Sequence, residues 1–195
     1  MLKSIFFAFC ILSTLSINAQ NSPESPHLIF KGVPIDGPLK VYTTKMQQNG
    51  FTLINSKEGI SILKGDFASY KGCTIGVATL KQKDLVYKIA VLFPEQDTWS
   101  SLASNYFSLK EMLTEKYGEP NSRTEEFDGG EPTDDNTRMY YVQFDKCKYS
   151  CVFRTEKGTI ELSIEHDGVT SCFVRLAYFD KINSSIIKAK AIDDL

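Results

Sequence analysis

The chain has 195 residues, of which 42% are hydrophobic and 24% are charged, and its formal net charge is −2. This length suits one domain or two small halves that share a core, and the apolar content is too high for a disordered chain. The sequence contains no basic stripe and no cluster of Lys and Arg beside an apolar segment. We therefore expect neither nucleic acid nor an anionic membrane surface as a partner.

The first 19 residues are predicted to be a secretion signal. Lys3 precedes the apolar run IFFAFCIL at 5–12, and Ala19 supplies a small residue at the expected cleavage point. The run is shorter than the roughly 20 apolar residues that a transmembrane helix needs. Cys10 follows Phe9, where lipid attachment would require a small residue, so we expect no lipid anchor. The sequence thus predicts a periplasmic or secreted protein that does not insert into a membrane after signal cleavage.

A polar, proline-containing arm is predicted at 20–26, followed by a single domain at 27–195. The first part of the domain is predicted to contain a strand at 27–34 and a helix from the cap Asp36 to about Gly50. Period-two patterns predict four further strands at 51–56, 60–67, 73–80 and 85–93. Because the turns between them are too short for crossovers, these strands are expected to be antiparallel.

The second part of the domain opens with the strongest helix signal in the chain. Its apolar residues step by three or four and form one stripe, and they are Trp99, Leu102, Tyr106, Leu109, Leu113 and Tyr117. After it we predict a short strand at 123–127, a loop at 128–136, strands at 138–145, 149–155, 159–165 and 170–179, and a terminal helix at 181–195. In the 159–165 strand, Ile160, Leu162 and Ile164 alternate with polar residues, so one face of the sheet should be solvated.

Two parts of the chain resemble each other. Residues 86–92 align with 173–179, and 71–75 resemble 157–160 with one residue deleted. We therefore predict an α+β fold with an antiparallel sheet of about eight strands and helices on one face. The sheet would be built from pseudo-repeats at about 27–94 and 95–180, each a helix plus four strands. Chance similarity between two strand-rich segments is the alternative.

The segment FKGVPIDG at 30–37, soon after the predicted signal, resembles the opening of many exported, uncharacterised bacterial proteins. The repeated helix-plus-four-strand pattern resembles in outline the β-lactamase inhibitor protein fold, whose paired modules bind an enzyme across a concave sheet. This second resemblance implies a sheet that serves as a binding surface. Neither resemblance carries functional residues over to this chain, and a shared fold does not identify a target.

Four cysteines remain after the predicted cleavage: Cys73, Cys147, Cys151 and Cys172. In an oxidising compartment they allow three pairings, and buried free thiols are the alternative. If Cys147 and Cys151 share one continuous strand, their Cα atoms are about 13 Å apart and cannot be bridged. Sequence does not choose among the remaining possibilities.

The candidate catalytic and metal-binding residues are few. The chain has two histidines, His27 and His166, and a nucleophilic pair would have to combine His166 with Cys73, Cys151 or Cys172. His166 lies in a predicted turn, whereas these cysteines occupy predicted sheet positions, so we do not expect such a pair. We expect no cofactor and no zinc site. Weak calcium candidates occur in the 128–136 loop, although their spacing is not that of an EF-hand, and they are Asp128, Glu131, Asp134 and Asp135.

Aromatic residues in the second half suggest a binding surface. Tyr140, Tyr141, Tyr149 and Phe173 would place aromatic rings on both faces of the predicted sheet, and one of those faces could stay open. A second covered layer or simple cross-strand pairs are the alternatives. The favoured hypothesis is an exported, non-enzymatic module that binds a protein partner through an open sheet face and loops. A small-ligand or glycan binder is second, and a hydrolase with an unrecognised site is third.

Overall fold

The computed structural model describes residues 25–80 and 83–193. The predicted secretion signal, Cys10 and residues 20–24 of the predicted arm lie outside these ranges. The ten strands are β1 (Ile29–Phe30), β2 (Val33–Pro34), β3 (Thr52–Lys57), β4 (Ile60–Phe67), β5 (Tyr70–Leu80), β6 (Leu85–Leu92), β7 (Ser122–Phe127), β8 (Cys147–Arg154), β9 (Gly158–Asp167) and β10 (Ser171–Asp180). The helices are α1 (Leu39–Gln48), α2 (Trp99–Tyr117), α3 (Asp135–Gln143) and α4 (Lys181–Asp193). Among the described residues, no helix has the length and apolarity needed to cross a membrane.

Eight of the strands form one antiparallel sheet in the order β3-β4-β5-β6-β10-β9-β8-β7, and β1 and β2 form a separate hairpin. Within each half of the sheet, sequential strands are neighbours, and short turns join all of them except β7 and β8, between which α3 lies. The two halves join where β6 pairs with β10. The predicted α+β class and the antiparallel sheet of eight strands are therefore confirmed.

The junction between β6 and β10 has a specific register. Ala90 lies directly opposite Ala177, and the pairing continues symmetrically on both sides of them. The same two residues are equivalent in the alignment of 86–92 with 173–179. A two-fold axis through this pair would relate α1 and β3–β6 to α2 and β7–β10. This arrangement is the one expected of a duplicated unit, and the common origin of the halves stays a prediction.

Helices α1, α2 and α3 pack on one face of the sheet, and a single cluster of buried residues joins them to both halves. Aromatic rings are concentrated in this core: Trp99 on α2 makes edge-to-face contacts with Phe127 and Tyr149, with ring centroids 4.9 and 5.0 Å apart. The predicted stripe of α2 is confirmed, since its residues from Trp99 to Leu113 are buried. Thr98 caps this helix by accepting a hydrogen bond from the backbone N–H of Ser101.

The strand predicted at 138–145 is wrong, because helix α3 occupies 135–143. Tyr140 and its neighbours have high strand propensity, but local and tertiary contacts outweigh it. Asp134 caps the helix by accepting hydrogen bonds from the backbone N–H and hydroxyl of Thr137. Met139 and Val142, three residues apart, are buried on the side of α3 that meets the core.

Two details near the start of the domain also differ from prediction. The expected strand at 27–34 is a hairpin, in which Lys31 and Gly32 form the turn with positive φ angles of 49° and 77°. Helix α1 starts at Leu39 rather than next to Asp36. The backbone N–H of Leu39 donates to Asp84, which precedes β6, so this helix start is capped from a distant part of the chain.

Candidate binding surface

The face of the sheet opposite α1, α2 and α3 is called here the outer face. Its side chains are set by strand alternation and include Lys64, Thr74, Gly76, Lys88, Ala90, Leu92, Val152, Glu161, Arg175, Ala177 and Phe179. Most of these side chains are half-buried, whereas the alternate residues on the same strands are buried in the core. Solvent therefore reaches the outer face between neighbouring side chains.

Small residues lie in the middle of the outer face. Gly76, Ala90 and Ala177 are register partners on β5, β6 and β10, and the row continues through Glu161 to Val152. Larger side chains occupy the rows above and below it. The centre of the outer face is therefore a row of small residues across three strands, called the trough below, in which Ala177 is buried and Gly76 and Ala90 are half-buried.

Charged groups flank this trough. Arg175 donates to Oε1 of Glu165 from Nε and Nη2 at 3.1 and 3.0 Å, and Ser163 donates its hydroxyl to the same oxygen at 2.6 Å. The amine of Lys88 lies 4.9 Å from the ring centroid of Phe179, within range of a cation–π contact. Burial lowers the pKa of Lys88, and Arg175 lowers it further. These contacts hold the long side chains in place beside the trough.

Two depressions extend the outer face toward its edges. One of about 640 Å³ lies where α4 leaves β10, and Ser184 lines it together with Thr159 and Phe179. The other, of about 420 Å³, lies over β8 and β9 and reaches Asp145 in the turn between α3 and β8. Helix α4 contacts β6, β9 and β10. A partner on this face would thus meet both the sheet and these two flanking segments.

The four aromatic residues predicted to bind a partner lie in three different environments. Tyr149 is buried among core aromatics on the helix-covered face, and Phe173 is half-buried on the outer face. Tyr140 and Tyr141 lie on α3 rather than on a strand. Tyr140 is 45% exposed and stacks on Phe144 with a centroid distance of 4.4 Å, whereas Tyr141 packs against the core. The structure therefore does not bring the four together.

Three of the four residues considered for calcium have other side-chain partners, and the fourth, Asp128, lies exposed just after β7. Asp134 caps α3, and Asp135 accepts hydrogen bonds from the backbone N–H groups of Trp99 and Ser100 at the start of α2. Glu131 forms an ion pair of 3.0 Å with Arg138. The hydrogen bonds that Asp134 and Asp135 accept lower the pKa of both carboxyl groups. Within 25–80 and 83–193, no group of three or more His, Cys, Asp or Glu side chains is placed to hold a metal ion.

His166 is engaged through both ring nitrogens. Nδ1 lies 2.8 Å from the carbonyl oxygen of Gly168, and Nε2 lies 3.1 Å from a carboxylate oxygen of Asp145. Both partners can only accept, so the doubly protonated ring satisfies both contacts. The bond to Gly168, followed by the bond to Asp145, raises the pKa of His166. The imidazole ring thus connects the turn at Gly168, after β9, to the turn at Asp145, before β8.

The described cysteines are free thiols, and burial raises the pKa of each of them. The pKa of Cys147 is raised to about 12. A nucleophilic thiol requires the opposite shift. Cys147 and Cys151 both lie on the continuous strand β8. Their Cα atoms are therefore too far apart for a disulfide between them.

Cys172 lies directly opposite His166 in the register of β9 and β10, but both ring nitrogens of His166 contact oxygens of Gly168 and Asp145. Burial, followed by Glu95 and Asp97, raises the pKa of Cys172, so these two neighbours are not arranged as an activated pair.

Sequence reasoning missed most of the outer face. Lys88, Ala90 and Arg175 were recognised only as parts of strands, because alternation identifies which residues share a face but not which strands are neighbours. The equivalence of Ala90 and Ala177 in the repeat alignment was the one available signal. A two-fold axis through the duplicated segments predicts that β6 lies beside β10. It also predicts that Lys88, Ala90 and Arg175 lie near the centre of the sheet.

In comparisons with known proteins, no family model, no curated protein and no solved structure matches this chain. The resemblance of residues 30–37 to exported bacterial proteins and the outline resemblance to the β-lactamase inhibitor protein fold therefore stay predictions.

Proposed function

We propose that this chain is an exported, non-enzymatic binding protein that engages a protein partner through the outer face and the segments beside it. One observation carries the proposal: α1, α2 and α3 bury one side of the sheet in a single core, whereas solvent reaches the other side. Export is proposed from residues 1–19.

The size of the outer face favours a macromolecule. Eight strands spaced about 4.8 Å apart extend over roughly 34 Å. A stable protein interface uses about 800 Å² of each partner, which a sheet of this width can supply. The half-buried apolar side chains of Ala90, Leu92 and Val152 and the surrounding charges resemble the apolar centre and polar rim of protein interfaces.

The charges on the outer face are mixed in sign. Strand alternation places five basic side chains on it, Lys64, Lys88, Lys148, Arg154 and Arg175, and four acidic ones, Glu126, Glu161, Glu165 and Asp167. Complementary charges speed association and orient the partner. We therefore propose a partner whose own charges are mixed in sign and complement these.

Two observations favour binding over hydrolysis. Both nitrogens of His166 already have hydrogen-bond partners, and burial raises the pKa values of the described thiols. A hydrolase that used His166 as its base would have to break these hydrogen bonds. One that used a thiol as its nucleophile would need a lowered thiol pKa instead. The proposal therefore assigns these residues to the stability of the fold.

The test compares two charge-matched double variants in affinity capture from envelope and secreted fractions of the producing cells. Thr74→Glu with Ser150→Glu adds two negative charges to half-buried positions on the outer face. Ser104→Glu with Ser108→Glu adds the same charge to the exposed side of α2. A protein retained by the unmodified chain and by the α2 variant, but lost with the outer-face variant, is the expected result.

Thermal unfolding of both variants checks that each is folded. Equal loss of the captured protein in both variants would indicate general charge repulsion and would contradict the proposed surface. Retention by the outer-face variant together with loss by the α2 variant would move the interface to the helical side. Rising salt should weaken the expected complex, because complementary charges are screened.

A further inference from the structure

A separate cleft of about 690 Å³ lies on the helical side of the sheet. The hairpin of β1 and β2 forms one wall, and the end of α2 with the turn between β8 and β9 forms the other. Tyr178 on β10 lies between the two walls. The cleft therefore occupies the seam between the two helix-plus-four-strand units, and it shares Thr155 with the outer-face depression beside α4.

Aromatic rings line the inside of this cleft. Phe30 stacks on Phe67 with ring centroids 5.0 Å apart, and it meets Tyr178 edge-on at 5.3 Å. Tyr117, at the end of α2, adds a half-buried ring on the opposite wall. Burial and the neighbouring Tyr117 raise the pKa of Tyr178, so its hydroxyl stays protonated and can donate. An aromatic body is the ligand shape that such rings stack on best.

The rim of the cleft is mainly basic. Lys31, Lys116 and Lys157 line it, with Glu156 as the one acidic side chain among its lining residues. The turn of the hairpin holds Lys31 in place, since its φ of 49° is fixed by the pairing of β1 with β2. The amine of Lys116 lies 5.0 Å from the ring centroid of Tyr117. The positive groups thus lie next to the aromatic rings.

We propose that this cleft binds a small aromatic anion, with its ring system against the half-buried rings of Phe67 and Tyr117 and its acidic group beside Lys31 and Lys116. The volume lies in the range of small-molecule sites, which combine an apolar lining with a few polar groups. Charge complementarity selects an anion over a neutral or cationic ligand.

Two fluorescent probes of nearly equal shape test the proposal. 8-Anilinonaphthalene-1-sulfonate carries a negative charge, whereas N-phenyl-1-naphthylamine is its neutral counterpart. Purified protein should bind the sulfonate more tightly. Replacing both rim lysines, Lys31→Gln with Lys116→Gln, should weaken sulfonate binding about tenfold, from two exposed charge contacts, and should change binding of the neutral probe less than about twofold.

Two further variants locate the site. Ile29→Trp, at a 39% exposed position on the cleft wall, should fill the cleft and reduce binding of both probes. Lys40→Gln with Lys45→Gln, on exposed positions of α1, removes the same charge elsewhere and should leave both affinities unchanged. Melting curves confirm that every variant is folded, so that lost binding is not lost structure.

Several outcomes would overturn the proposal. These are failure of the sulfonate to bind, an equal effect of the α1 lysine pair, and binding that is unaffected by Ile29→Trp. Binding that appears only after removal of the residues before Ser25 would assign the cleft to the chain itself. None of these variants lies on the outer face. A failure of the cleft to bind the probes would therefore not count against the proposed protein partner, which is tested separately.

Discussion

The buried carboxylate of Asp180 accepts a hydrogen bond of 2.9 Å from the backbone N–H of Leu28, 152 residues earlier in the chain. Its other oxygen accepts from the backbone N–H of Asn183 at 2.8 Å and lies 3.1 Å from Nδ1 of His27. This single side chain therefore caps α4 and fastens the start of the domain to the end of β10. Through Leu28 it also positions the hairpin that forms one wall of the cleft.

Loss of this carboxylate should destabilise the whole domain. Asp180→Ala leaves the buried N–H groups of Leu28 and Asn183 without their acceptor, and we expect a decrease of about 2–4 kcal/mol in the free energy of unfolding. Asp167→Ala, at the exposed last residue of β9, is the control and should change it by less than about 0.5 kcal/mol. Urea titration measures both. Equal stability of the two variants would contradict the proposed role.

Two glycines on strands should respond in opposite ways to alanine. A Cβ at Gly158 would lie 2.2 Å from the carbonyl oxygen of Phe179, so β9 and β10 would have to separate. We expect Gly158→Ala to lower the free energy of unfolding by about 3 kcal/mol. At Gly76 the nearest atom would be 3.8 Å away, and Gly76→Ala should be neutral or stabilising by up to about 1 kcal/mol. A destabilised Gly76→Ala would contradict the described packing.

Tyr149 is predicted to stabilise the core rather than to contact a partner. Its ring packs against Trp99, Phe127 and Tyr106 with centroid distances of 5.0, 5.5 and 5.8 Å. Tyr149→Ala should therefore cost about 3–5 kcal/mol of unfolding free energy, whereas Tyr149→Phe keeps the ring and should cost about 1 kcal/mol or less. Chemical denaturation distinguishes the two. A stable Tyr149→Ala variant with lost partner binding would reverse this assignment.

His166 should make stability depend on pH. Its pKa is raised in the folded chain, so the folded state binds the proton more tightly than the unfolded state, in which a histidine has a pKa of about 6.5. The stabilising contribution is complete below that value and is lost as the pH rises through the folded pKa. The melting temperature of the unmodified chain should thus exceed that of His166→Gln at pH 5.5, and the difference should shrink by pH 9. A difference that is constant with pH would contradict the pairing with Gly168 and Asp145.

The fold class could be predicted because its signals are local. Alternation in the 159–165 strand, the helical spacing from Trp99 to Leu113, and turns too short for crossovers each depend on neighbours in sequence. The error at 138–145 has the opposite origin. Tyr140 and Tyr141 have strand propensity, but the cap at Asp134 and the burial of Met139 decide for a helix.

The candidate surfaces could not be predicted, because they depend on distant pairings. The outer-face trough exists only because β6 meets β10, which places Ala90 opposite Ala177. The cleft combines Phe30 with Tyr117 and Tyr178, three residues from remote parts of the chain. No spacing rule links such residues, so the functional geometry became visible only in three dimensions.

Site-specific photocrosslinking tests the central claim of a protein partner on the outer face most directly. A benzoylphenylalanine residue is placed at Leu92, half-buried on the outer face, or at Phe107, 42% exposed on α2. We predict one discrete protein adduct from position 92 and none from position 107, in cells that produce and export the chain. An adduct from position 107 alone, or equal labelling from both positions, would contradict the account.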